Sequence, residues 1–199
     1  MSIQRIRIVR DSHHESPREW DNLGTMVCWH PEYLLGDKHE HESPEAFEEW
    51  VDAIEDKKNL KVLVKIPLYL YDHSGISMST NRVYPYNCPW DSMQVGWIYV
   101  HAHQLISEYG SCGVEAQQKA TQVLENEVRT YNQYLTDDVW GFVVEEKHRC
   151  STCKNETWET LDSCWGFYGS NPETNGMKEH IEVKYHYLLK SALREEADG

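Results

Sequence analysis

The sequence predicts an α+β fold in a single domain spanning residues 1–199, with a mixed or antiparallel sheet packed with two or three longer helices. Three observations carry this. Runs rich in branched and aromatic residues, such as LKVLVKIPLYLY, read as core strands. Apolar residues at helical spacing mark separate amphipathic helices. The two kinds of segment follow one another irregularly, which disfavours a doubly wound parallel sheet.

Taken in order, Arg5 and Arg7 alternate with Ile6 and Ile8, the period of a half-buried strand. From Asp11 to Trp29 no period is evident, and Pro17, Asn22 and Gly24 mix with Trp20, Met26 and Trp29 as in a packed or functional loop. Ser43-Pro44-Glu45 then supplies an N-cap, a first-turn proline and an early carboxylate, and Phe47, Trp50, Val51 and Ile54 follow at helical spacing. Leu60–Tyr71 reads as a strand in which Pro67 implies a bulge or an edge. Gln94–Val100 reads as another. Ala116, Ala120, Val123, Leu124, Val128, Tyr131 and Leu135 line one face of a long helix ending near Asp137. Val139–Val144 and Thr157–Phe167 form two strands around a Cys-Ser-Thr-Cys turn, and Met177–Leu193 a closing helix.

Charge restricts the function classes. The chain has 33 acidic and 19 basic residues, a formal charge of −14, which opposes direct binding to a nucleic-acid backbone and favours a protein partner with a basic surface. The excess is local: residues 11–56 hold fourteen carboxylates against only Arg18 and Lys38. Glu42, Glu45, Glu48, Glu49 and Asp52 are the candidate partner-binding residues. No apolar run approaches a membrane span and MSIQRIRIVR has no apolar core of a leader, so neither export nor membrane insertion is expected. The six cysteines accordingly read as reduced thiols of a cytoplasmic protein.

Several clusters have residue types suited to metal or acid–base chemistry. His13, His14, His30, His39 and His41 lie among Asp11, Glu15, Asp21, Asp37 and Glu40, all usable ligands, although no spacing among them defines a site. Cys150-x-x-Cys153 aims two thiols at one point, and zinc is the expected metal. Tetrahedral zinc needs four ligands, so His148, Cys164 or the Cys28-x-His30 pair would have to complete the set, and two reduced, unliganded thiols are the alternative. Asp72, His73 and Asp91 are the candidate catalytic residues, as metal ligands or acid–base groups at strand ends. Turn capping is the competing role for them. Phosphate-binding glycine loops are absent.

Four blocks taken together, Glu15–Met26, Pro67–Gly75 (PLYLYDHSG), Cys88–Val100 (CPWDSMQVGWIYV) and Asp162–Gly169 (DSCWGFYG), resemble a family of small, uncharacterised proteins encoded by bacteriophages and prophages. The resemblance spans residues 8–170, and the Cys-Ser-Thr-Cys segment departs from the family's pattern. A phage setting implies a counter-defence inhibitor, anti-CRISPR or antirestriction-like, in the cytoplasm of a bacterial host. Its acidic face would engage the basic surface of a host nuclease complex. A metal-dependent hydrolase or nuclease built on Asp72, His73 and Asp91 is the second expectation. A sponge for a nucleotide signal, with Arg18 or Arg82 lining an aromatic pocket, is the third.

Overall fold

In a computed structural model that describes residues 3–73, 75–81 and 92–197, the chain is an α+β protein with two antiparallel sheets. It forms two compact units, Ser16–Thr136 and, discontinuously, Met1–Glu15 with Asp137–Gly199.

The first strand of the discontinuous unit, β1 (Gln4–Arg10), sits at one edge of a three-stranded sheet. Its register partner is a strand 135 residues further along the chain, with Ile6 opposite Val144 and Ile8 opposite Phe142. Alternation then places Ile6 and Ile8 on the apolar face and Arg5 and Arg7 on the other.

The continuous unit begins with a 3-10 turn, Pro17–Glu19, in which the Ser16 side chain accepts a bond from the Arg18 N–H. A short strand β2 (Thr25–Cys28) lies within the segment whose sequence shows no period. Helix α1 (Pro44–Ala53) starts where Ser43 and Pro44 place it, with the Ser43 hydroxyl accepting from the Ala46 N–H. Strands β3 (Val62–Asp72), β4 (Ile76–Ser79) and β5 (Ser92–His101) complete a sheet of order β2-β5-β3-β4. Pro67 is accommodated because β4 pairs only with Tyr69–Asp72, so at Pro67 β3 has β5 on one side alone, and a register shift follows at Leu68/Tyr69. Helix α2 (Ala102–Tyr109) follows β5 directly: the Gln104 side chain accepts from the His101 N–H, and Gly110 ends the helix at φ 69°. The long helix α3 (Val114–Leu135) buries Ala116, Ala120, Leu124, Val128 and Tyr131.

This four-stranded sheet is covered on both faces. Met26, Leu68, Leu70, Ile98 and Val100 pack with α2 and α3, whereas Val27, Trp97 and Tyr99 pack with Phe47, Trp50 and Val51 of α1.

Back in the discontinuous unit, β6 (Val139–Arg149) and the edge strand β7 (Glu156–Tyr168) complete the order β1-β6-β7. The expected closing helix is interrupted. Residues Met177–His180 form a single turn, α4, Ile181 is extended with ψ 130°, and α5 (His186–Ala197) follows a 3-10 turn at Val183–Tyr185. Breaking the helix lets Met177, Ile181, Tyr185, Leu188 and Leu189 all reach the sheet face made by Ile6, Phe142, Val144 and Phe167. No described helix is long and apolar enough to cross a membrane.

Candidate functional site

The carboxylates of the acidic segment have different fates, and the fold sorts them. On α1, Phe47 and Ile54 face inward, Glu48 pairs with Lys65, and Glu55 at the C-terminal end pairs with Lys61. Glu42, Glu45, Glu49 and Asp52 stay exposed. The spacing of Glu45, Glu49 and Asp52, four and three residues, sets these three in one stripe over about 10 Å of helix, and Glu42 lies just before the N-cap. None of the four has a cation within ion-pair distance among the described residues. Glu45 also accepts hydrogen bonds at the helix N-terminus, from backbone N–H and Ser43, and these hold its carboxyl below the usual range. Three of the five candidate partner-binding residues therefore form one helix face without an ion pair among the described residues, Glu42 is exposed just before it, and Glu48 is already engaged.

The helix carrying the stripe rests on an aromatic floor. The Phe47 ring is fully buried, with ring centroids of Trp97 and Tyr99 at 5.3 Å, Trp50 at 5.7 Å and Trp29 at 6.0 Å. Trp29 Nε1 donates to the His41 carbonyl at 3.0 Å, which ties the approach to α1 onto β2. His41 packs on Trp50, and its ring pKa is lowered, first by burial and then by His39. His101, packed against Trp50 and Tyr99, is likewise lowered by burial.

Asp37 belongs to the interior. The Arg18 guanidinium, 5% exposed, donates from Nε to Asp37 Oδ1 at 2.9 Å, from Nη2 to Asp37 Oδ2 and to the Gly24 carbonyl at 2.7 Å each, and from Nη1 to Glu127 Oε2 at 3.0 Å. Burial opposes its charge, but the two carboxylates outweigh burial and keep it above its ordinary value. The carboxylates are satisfied further: Asp37 accepts from the Met26 N–H, and Glu127 from the N–H groups of Leu23 and Gly24. The turn closes at Gly36, φ 70°, where an added Cβ would stand 2.6 Å from the Met26 carbonyl. Burial and nearby Asp37 push the Cys28 thiol up to about 12. Arg18, considered above for a nucleotide pocket, is thus committed to the fold, and Arg82 lies outside the described residues. No local pattern marks this network, because Glu127 lies 109 positions from Arg18.

The histidine-rich segment is divided. His13 and His14 lie in the discontinuous unit, with His14 Nδ1 bonded to the Asp11 carbonyl, whereas His30, His39 and His41 lie in the other. His30 accepts the Glu32 and Tyr33 N–H groups and stacks on Tyr33. His39 Nε2 bonds the Cys28 carbonyl, and the ring borders a depression of about 700 Å3 with Trp29, Tyr33 and Leu35. Asp72 and His73 sit at the β3–β4 turn, where Asp72 accepts from the Tyr33 hydroxyl and the His73 N–H donates to the Gly75 carbonyl. Asp91 lies outside the described residues.

The proposed zinc ligands also separate. Cys150 and Cys153 stand together at the exposed β6–β7 tip. His148 Nε2 faces Glu159 at 3.1 Å, and Cys164 lies in register with Phe142, about 25 Å along β6 from Cys150 at the usual strand rise. Cys28 and His30 belong to the other unit. Among the described residues no three metal-ligating side chains converge. No protein-family model, curated protein or solved structure matches the chain.

Proposed function

We propose that this protein acts by binding rather than by catalysis, presenting Glu42 and the α1 stripe of Glu45, Glu49 and Asp52 to a basic surface on a partner protein. The observation that supports this most directly is that three exposed carboxylates share one helix face, with Glu42 just before it, and none of the four has a cation within ion-pair distance among the described residues, on a helix held by a buried aromatic floor. Such a face attracts lysine- and arginine-lined grooves and steers association at long range. The four sequence blocks that resemble phage and prophage proteins favour one class of partner. In that reading the protein is a counter-defence inhibitor, and its partner is the nucleic-acid channel of a host nuclease complex.

The test compares the wild type with an E42Q/E45Q/E49Q/D52N variant in capture from bacterial lysate at low and high salt, followed by a binding assay with the captured protein. These are exposed positions, so each change is expected to alter stability by no more than about 0.5 kcal/mol. The wild type should bind a basic partner at low salt and release it at high salt, and the variant should bind at neither. Equal binding by both proteins, with the same salt dependence, would overturn the reading.

A further inference from the structure

The tip of the β6–β7 hairpin carries chemistry that the acidic face does not use. Cys150 follows the last residue of β6, its N–H donates to the Asn155 carbonyl at 2.9 Å, and its carbonyl accepts from the Lys154 N–H at 3.1 Å. The turn between them is tight. Lys154, immediately after the second cysteine, adopts φ 61°, a left-handed conformation that residues with a side chain rarely take. That conformation gathers successive backbone N–H groups into a concavity of the kind that holds anions. The group inside it is the Cys150 sulfur, with the Cys153 N–H 3.5 Å away. Both cysteines are exposed, so two sulfurs on one tight turn are open together to a soft metal as a bidentate ligand.

We propose that Cys150 and Cys153 form half of a zinc site, and that a second copy of this chain supplies the other half, giving one zinc ion held by four thiolates between two hairpin tips. Ligand number argues for the second copy. Zinc in a structural site takes four ligands, and the hairpin offers two. Its nearest histidine faces Glu159, and Cys164 lies far down the sheet among apolar side chains. An identical tip brought in by a two-fold axis provides the missing pair in the same geometry. Charge agrees. Zinc with four thiolates carries two net negative charges, and each tip places cations beside it: Lys154, whose ammonium folds back onto the Ser151 carbonyl at 2.7 Å, and Arg149, exposed and without an ion pair among the described residues. Two tips therefore bring four cations to a dianionic centre. The stripe on α1 would attract no second copy of itself. This inference does not depend on α1, so the two proposals can fail separately.

The experiment uses the full chain purified under reducing conditions and loaded with zinc. Elemental analysis and light scattering are read together, before and after chelation. One zinc per two chains in a dimer that returns to monomer on chelation is expected. Cobalt in place of zinc should show the charge-transfer and ligand-field bands of a tetrathiolate. Cys150→Ser and Cys153→Ser should each abolish both metal binding and dimer, and Cys164→Ser should change neither. A zinc-free protein, zinc held one per chain by a monomer, or a dimer that survives chelation overturns the proposal. Chelation of the wild type keeps the test independent of how the variants fold.

Discussion

The two sheets of this protein treat charge in opposite ways. The four-stranded sheet has helices on both faces, and beside it the Arg18 guanidinium, 5% exposed, is fully bonded between the part-buried carboxylates of Asp37 and Glu127. Among the described residues of its own unit, the three-stranded sheet has α4 and α5 packed on the face of Ile6, Phe142 and Val144. On the other, Arg5 and Arg7 are 41% and 48% exposed, yet both reach Glu145, which is nearly buried, while Arg5 lies 3.9 Å over the Trp158 ring. Glu145 is held below the usual carboxylate range, chiefly by its bond from Arg7 and against its own burial. A charge with water beside it can lose one partner and be hydrated again. One enclosed between helices and sheet cannot.

The largest expected effect follows from that contrast. Arg18→Ala strands two carboxylates and should cost about 3–5 kcal/mol in denaturant unfolding, whereas Arg5→Ala, which leaves Arg7 on Glu145, should cost about 1 kcal/mol or less. Similar losses for the two would break the comparison. Glycines sharpen it. A Cβ at Gly96 in β5 would stand 1.9 Å from the Val27 carbonyl, a backbone atom inside the doubly covered sheet, so Gly96→Ala should cost about 3 kcal/mol or more. At Gly141 in β6 the nearest atoms belong to the Trp165 ring, at 2.2 Å, a side chain 46% exposed and able to swing aside, and the Cys164 carbonyl at 2.8 Å needs only a slight backbone shift. Gly141→Ala should therefore cost less, about 1–2 kcal/mol, with a shift in tryptophan emission.

Acid should weaken the doubly covered unit through its histidines. His41 and His101 titrate below the ordinary histidine value of about 6.5, so the unfolded chain takes up their protons first. Their contribution is complete above that value and is lost as pH falls through the lowered values of the folded state. A melting temperature that is level above neutrality and declines toward pH 5, with a shallower decline in His41→Asn, is the expected profile. A flat profile to pH 5 would count against it. The smallest effect is one of reactivity: at neutral pH iodoacetamide should label Cys150 well before Cys28, whose buried thiol is pushed up to about 12. Peptide mass spectrometry reads the order directly.

Local signals in the sequence were sufficient where a segment is long or punctuated. Ser43-Pro44 located the start of α1, the spacing from Ala116 to Leu135 located α3, and Pro67 marked the place where β3 lacks a second neighbour. Short elements left too little pattern. β2 and β4 have four residues each, and α2 makes two turns directly after a strand, with Leu105 as its one large buried side chain. The break at Ile181 was illegible because Met177, Ile181 and Leu188 keep helical spacing through it. At the candidate site, the acidity of α1 could be read residue by residue. The withdrawal of Asp37 from the acidic segment and of Glu48 from that face could not, because their partners Arg18 and Lys65 lie 19 and 17 positions away and meet them only through the fold.

The pairing of β1 with β6 sets an order of events on the ribosome. Asp11 N–H donates to the Val139 carbonyl, so the chain leaves the three-stranded sheet and returns to it at neighbouring points, with residues 16–136 made in between. β1 emerges early, yet its partner strand does not exist until that entire insert has been synthesised. The four-stranded unit is therefore free to fold first, while Ile6, Ile8 and Val9 wait without a sheet to join. A chain truncated after Thr136 and released from the ribosome should carry one protease-resistant body and a cleavable leading strand.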